Sequence, residues 1–169
     1  FRRVLFRSKN TLQPYKENPK NLILKKDDIL FIDFGPIFEE WEADFGRTYV
    51  IGGDPYKIKL NKDIESAWHN CKNYFDTQQE ITGAQLYKYA SDLALDYNWE
   101  FGGEIAGHII GNYPHERLEK EDKTNYIHPN NNEDMFKTDK KGKIRNWILE
   151  IHFVDRKKQI GGFFEQLLV

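Results

Sequence analysis

The sequence predicts an α+β chain, an antiparallel sheet with helices packed on one face. Three observations carry this reading. Strand-like runs come first, at Ile29–Phe34 and Ala43–Ile51. Two helical patterns follow between residues 61 and 97, and strand-like runs return at Trp147–Val154 and Ile160–Val169. With the short apolar stretch Ile105–Ile110 the order is β-β-α-α-β-β-β, and 169 residues suit one domain.

Ile29-Leu30-Phe31-Ile32-Asp33-Phe34 is apolar on both faces, as in a covered central strand, with Asp33 set into it. Gly35-Pro36 ends it, and Ala43–Ile51 is rich in aromatic and β-branched residues. Gly52-Gly53-Asp54-Pro55 reads as a turn. Ile64, Ala67, Trp68, Cys71, Tyr74 and Phe75 fall at helical spacing and predict a helix from Asn61 to about Gln79. Thr82-Gly83-Ala84-Gln85 is a capping box, and Leu86, Tyr89, Ala90, Leu93, Ala94 and Tyr97 form the stripe behind it. Residues 118–143 are polar and read as a long surface excursion, and Asp155-Arg156-Lys157-Lys158 turns between the last two strands.

Composition narrows the function classes. With 27 acids against 25 bases the net charge is −2, which excludes a polybasic nucleic-acid or membrane-surface binder. Acids interleave with the lysines of Lys120–Lys143, so that stretch reads as a solvated loop. No run of apolar residues is long enough to span a bilayer. The single Cys71 excludes a disulfide framework, suits a reducing compartment, and falls on the apolar side of its helix. Phe1-Arg2-Arg3-Val4-Leu5-Phe6-Arg7-Ser8 lacks the apolar length and cleavage site of a signal peptide and resembles one reading frame of a sequencing adapter. Residues 1–8 are therefore set apart as an artefact. The domain is expected over 9–169, truncated at both ends, since Phe163–Val169 stops inside a strand-like run.

Two similar hairpins carry the chemistry. Asp33 and Asp44 are symmetric about Phe38-Glu39, so a hairpin closed there sets them directly opposite. Glu150 and Glu165 are symmetric about Lys157-Lys158, although a bulge at Gly161-Gly162 would shift that register. Opposed carboxylates destabilise a sheet unless they share a proton or a cation. One such pair is ordinary; two in one small apolar sheet point to metal. Gly107-His108-Ile109-Ile110-Gly111 adds a glycine-flanked imidazole, and Pro114-His115-Glu116 a second. Oxygen ligands with one imidazole suit Mn, Co, Fe or Zn. His69 and His128 read as structural and solvated, respectively. His152 shares the face of Glu150 and is either a site residue or packing.

These segments resemble the pita-bread metallopeptidases: methionine aminopeptidases, Xaa-Pro aminopeptidases, prolidases and creatinase. The resemblance rests on Ile32-Asp33-Phe34-Gly35, Ala43-Asp44-Phe45-Gly46-Arg47-Thr48, Gly107-His108-Ile109-Ile110-Gly111, Pro114-His115-Glu116, Leu149-Glu150-Ile151 and Phe164-Glu165. It implies the pita-bread fold and a partial catalytic domain over 9–169. By the same resemblance Asp33, Asp44, His108, Glu150 and Glu165 hold two divalent metals, Mn first, with Co, Fe or Zn as alternatives. Glu150 also moves the proton, His115 hydrogen-bonds the substrate carbonyl or oxyanion, and His152 is a candidate substrate contact.

Three departures stand out. Ile109 replaces a middle glycine, Ile151-His152 replaces a proline after Glu150, and no histidine precedes Asp33, so that one is expected in preceding sequence. Gly35-Pro36 and Phe164-Glu165-Gln166 resemble the Xaa-Pro branch. The implied function is metal-dependent hydrolysis of an N-terminal peptide bond in a cytoplasmic enzyme. Its partner is a peptide with a free N-terminus, without nucleic acid or membrane, and a homodimer is left open. The alternatives are a methionine aminopeptidase, a metal-free creatinase-like hydrolase, or a peptide-binding member without catalysis.

Overall fold

β-Branched and aromatic runs separated by tight turns pair into one antiparallel sheet. The computed structural model describes residues 2–12, 23–111, 122–139 and 142–169. Its strands are β1 (Arg2–Arg7), β2 (Ile29–Gly35), β3 (Ile37–Phe38), β4 (Trp41–Glu42), β5 (Phe45–Val50), β6 (Glu100–Phe101), β7 (Gly107–Ile110), β8 (Asn146–Asp155) and β9 (Ile160–Leu167). The spatial order is β1-β2-β5-β9-β8-β6, with β7 also paired to β8 and β3-β4 forming a small separate hairpin. Residues 2–7, set apart in the sequence, run antiparallel to β2 from Arg2↔Gly35 to Arg7↔Leu30. A 3-10 helix follows at Ser8–Leu12.

Two helices, α1 (Pro55–Asp76) and α2 (Gly83–Asp96), join the halves of the sheet. The first starts six residues earlier than the apolar spacing predicts. Asp54 is its N-cap, accepting from the Tyr56 and Lys57 N–H groups, and Pro55 is its first residue. The segment read as a turn is thus a helix start, because proline tolerates the first helical position and aspartate caps it. The capping box of Thr82 and Gln85 is present as expected.

Leu60, Ile64, Ala67, Trp68, Cys71 and Phe75 of α1 pack with Leu86, Ala90 and Ala94 of α2 against Leu149, Ile151, Phe153 and Phe164 of the sheet. Trp68 Nε1 donates to the Leu149 carbonyl at 3.0 Å and pins α1 to β8. Burial pushes the Cys71 thiol up to about 12, which leaves it a packing residue. Alternation along β8 sends Glu150 and His152 to the other face, where Phe31 and Phe163 form a second, smaller cluster.

The polar excursion is better anchored than its composition suggests. Ile127, Asn131 and Met135 are buried. Ala106 N donates to Ile127 O, Ile127 N to Gly107 O and Met135 N to Ile81 O, each at 2.8 Å. The apolar residues are too sparse for periodicity to reveal, yet Ile127 packs beside Gly107 of β7, and Met135 is tied to Ile81 and, through its carbonyl, to Trp147 of β8. No helix among the described residues is long and apolar enough to cross a membrane.

Candidate metal centre

Strand register builds the centre. Asp33 faces Gly46, Gly46 faces Glu165, and Glu165 faces Glu150. Four strands thus lay three carboxylates in one line across the sheet. The Glu150–Glu165 pair falls where the hairpin symmetry predicts, and the register runs unbroken through Gly161-Gly162. The first hairpin differs. Asp33 lies opposite Gly46, not Asp44, because the β3-β4 turn closes on Glu39-Glu40, with Ile37↔Glu42 and Phe38↔Trp41 paired. Both turn residues have positive φ, 47° and 69°, as a two-residue type I′ turn requires. Moving the turn by one residue shifts the register by two. Asp44 thereby becomes the diagonal, same-face neighbour of Asp33.

Glycine at 46 is a packing requirement. A Cβ there would sit 2.5 Å from the Phe163 ring and 3.1 Å from Glu165 Cβ. His108 enters from β7, opposite Ile148. The preceding Gly107 has φ +139°, and a Cβ on it would lie 2.0 Å from the Ile148 carbonyl, so the approach that carries His108 needs glycine. His108 Nδ1 donates to the Ile109 carbonyl at 2.8 Å, leaving Nε2 to face the acids. That nitrogen lies 3.5 Å from Asp44 Oδ2 and 3.5 Å from Glu150 Oε1.

The electrostatics are those of crowded, dry carboxylates. Burial, opposed by His108 and reinforced by Asp44 and Asp33, lifts the Glu150 carboxyl to about 7. Burial and the charges of Glu150, Asp44 and Asp33 hold Glu165 well above the usual carboxylate range. Burial disfavours charge on His108, but the Asp44 hydrogen bond, Glu150 and the Ile109 carbonyl outweigh it and raise the ring to about 9. Asp33 and Glu150 are each 8% exposed and Glu165 1%.

The residues fit a divalent cation. Asp44, His108 and Glu165 each offer a ligand atom within 4.8 Å of the others. Glu165 Oε2 is buried without a hydrogen-bond partner. An orphaned carboxylate oxygen among hard donors and one imidazole is the environment such an ion satisfies.

Sequence reasoning left Arg47 and Thr48 without a role, although both stand in the quoted Asp44–Thr48 segment. Thr48 Oγ1 donates to the Phe163 carbonyl at 2.8 Å and accepts from its N–H at 2.7 Å, replacing ladder bonds between β5 and β9. Arg47 donates to the carbonyls of Gly46 and Glu165 at 2.8 and 2.7 Å and lies 3.8 Å over the Phe164 ring. Both tie β5, which Asp44 immediately precedes, to the strand carrying Glu165.

His115 lies outside the described residues. His152 is 2% exposed and its Nε2 donates to the Thr11 carbonyl at 2.7 Å, so it is a packed interior residue in this structure. Burial lowers it to about 4, against the pull of the Thr11 and Gly102 backbone, and keeps it neutral. His69 is exposed on α1. His128 is half-buried rather than solvated, its Nδ1 accepting from the Asn130 N–H at 3.0 Å.

An antiparallel sheet backed by two helices, with carboxylates and a histidine converging on its open face, defines a metallopeptidase-like centre on a pita-bread fold. Residues 1–144 match the model of metallopeptidase family M24. The chain belongs to that family. A Mycoplasma genitalium protein provisionally described as an Xaa-Pro aminopeptidase is 28% identical over 117 residues, covering 67% of this chain and 32% of its own length. The X-Pro aminopeptidase structure from Thermotoga maritima superposes with a TM-score of 0.73 at 17% identity, over 99% of this chain and 46% of that one. The methionine aminopeptidase structure from Rickettsia prowazekii gives 0.63 at 18% identity, over 85% of this chain and 61% of that one. The chain thus spans about a third of the curated relative's length and under half of the Thermotoga chain.

Proposed function

We propose that residues 9–169 carry the metal-binding part of a peptidase that hydrolyses an N-terminal peptide bond, with Xaa-Pro peptides as its substrates. The observation that supports this most is the convergence of Asp44, His108, Glu150 and Glu165 beside Asp33 on one sheet face. Asp33, Asp44, His108, Glu150 and Glu165 would hold two divalent ions, manganese by preference. When bound, such ions acidify water and polarise the scissile carbonyl.

The chain's own groups account for the remaining steps. Glu150, beside the other ligands of the centre, would take a proton from the attacking water and pass it to the leaving amine. His115 is assigned the hydrogen bond to the substrate carbonyl oxygen as it becomes an oxyanion. The Mycoplasma relative and the Gly35-Pro36 and Phe164-Glu165-Gln166 segments favour the Xaa-Pro branch. Residues 1–8 remain outside this assignment, since the outer edge of β2, which β1 covers here, offers backbone pairing to any extended segment.

The test is metal content together with Mn-dependent cleavage of Xaa-Pro and Met-Xaa peptides by the full-length protein. Two ions per chain with Xaa-Pro cleavage is the expected result. Met-Xaa cleavage alone would move the protein to the methionine branch. Neither metal nor cleavage would leave a peptide-binding protein. Asp44→Ala or His108→Ala is expected to abolish turnover.

A further inference from the structure

Beside the line of acids runs a second line across the same sheet face. Phe31 pairs with Thr48, Thr48 bonds the backbone of Phe163, and Phe163 pairs with His152. Each of these residues is two positions along its strand from an acid-line position, a displacement of about 7 Å. The Ser8–Leu12 helix lies over this second line. Thr11 is fully buried there, and its carbonyl accepts from His152 Nε2 at 2.7 Å. Its hydroxyl accepts from the Gly161 N–H at 2.6 Å. A Cβ on Gly161 would lie 2.4 Å from the Thr11 carbonyl, so backbone meets backbone with no side chain between.

We propose that His152 is a positioning residue: with Gly161 it clamps Thr11, so that residues 9–12 wall off the sheet face one residue row from the carboxylates and stop a bound peptide from extending more than one residue on that side. The wall makes the site release single residues rather than cut within a chain. The stop rests on the peptidase reading above; the clamp does not. A buried imidazole donating to a main-chain carbonyl is a costly arrangement for mere filling, because a leucine would fill the same space without a polar atom to satisfy.

Four forms of the full-length protein test it: wild type, His152→Leu, His152→Gln and Thr11→Val, each loaded with Mn. Hydrogen exchange over residues 9–12 reads the clamp without reference to activity. Exchange is expected at least tenfold faster in His152→Leu and Thr11→Val, and near wild type in His152→Gln, whose amide donates to the same carbonyl. Mass spectrometry of peptide products reads the stop. Wild type and His152→Gln are expected to release single residues. The two loosened forms are expected to release dipeptides as well, with KM raised about tenfold and Mn content unchanged. Unchanged exchange in both loosened forms overturns the clamp. Faster exchange with single-residue release and unchanged KM overturns the stop alone. A wild type that cleaves nothing overturns the peptidase reading and the stop with it, while exchange still decides the clamp. Thr11→Val keeps the comparison intact should His152→Leu not fold.

Discussion

At the scale of single residues, the site is held together at a cost to the fold. Glu165 is buried among Glu150, Asp44 and Asp33, and the fold therefore favours its protonated form. A carboxyl raised in the folded state contributes most below its unfolded value, near pH 4–5, and loses that contribution as pH rises through the folded value. Glu165→Gln is permanently neutral and escapes the loss. In metal-free protein it is expected to raise stability by about 1–2 kcal/mol at pH 8 and by almost nothing at pH 4.5. Denaturant melts at both pH values check this, and the same variant should bind metal poorly. Thr48 works in the opposite sense. Thr48→Val removes the hydroxyl that satisfies both backbone groups of Phe163. It is expected to destabilise the fold by about 1–3 kcal/mol, read from denaturant midpoints. Thr48 is not one of the candidate ligands, so any loss of metal affinity in that variant would report the spacing of β5 against β9.

At the scale of elements, local chemistry explains where each piece begins. Asp54-Pro55 starts α1, and the reciprocal Thr82–Gln85 box starts α2. Thr82→Ala is expected to cost about 1 kcal/mol in a thermal or denaturant melt, without altering metal binding, because α2 packs on the far side of the sheet. The capping box was fully legible as a short sequence pattern. The start of α1 was not, because Gly52-Gly53-Asp54-Pro55 has the composition of a turn and only the continuing chain decides between turn and cap. The first hairpin shows a similar limit. Its two strands could be read from a continuous apolar run and a β-branched, aromatic one, but its register hung on which pair of residues took positive φ. Phe38-Glu39 and Glu39-Glu40 are equally plain in sequence; Phe38 and Trp41 pair across the turn only in the second arrangement.

At the scale of the whole molecule, metal binding and protonation are one equilibrium. His108 raised to about 9 and Glu150 raised to about 7 both carry protons that a divalent ion must displace. Mn affinity is therefore expected to rise from pH 6 to pH 9, with net proton release on binding. Calorimetry in buffers of different ionisation enthalpy measures both, and an affinity that falls over that range would contradict the ligand assignment.

The sequence by itself determined the fold class, the helices and their buried stripes, the opposed Glu150–Glu165 pair, and the candidate ligands on strands β2, β7, β8 and β9. These follow from short-range signals: apolar and β-branched runs, hairpin symmetry, helical period and caps. Only the tertiary structure decided that Asp33 and Asp44 are diagonal, that Arg47 and Thr48 fasten the two hairpins together, that Ile127 and Met135 anchor the polar excursion, and that His152 holds Thr11. Each of these joins residues far apart in the chain, or turns on a one-residue choice of turn. Such contacts are selected by which packing excludes water and satisfies the backbone, and no local pattern of residues records that choice.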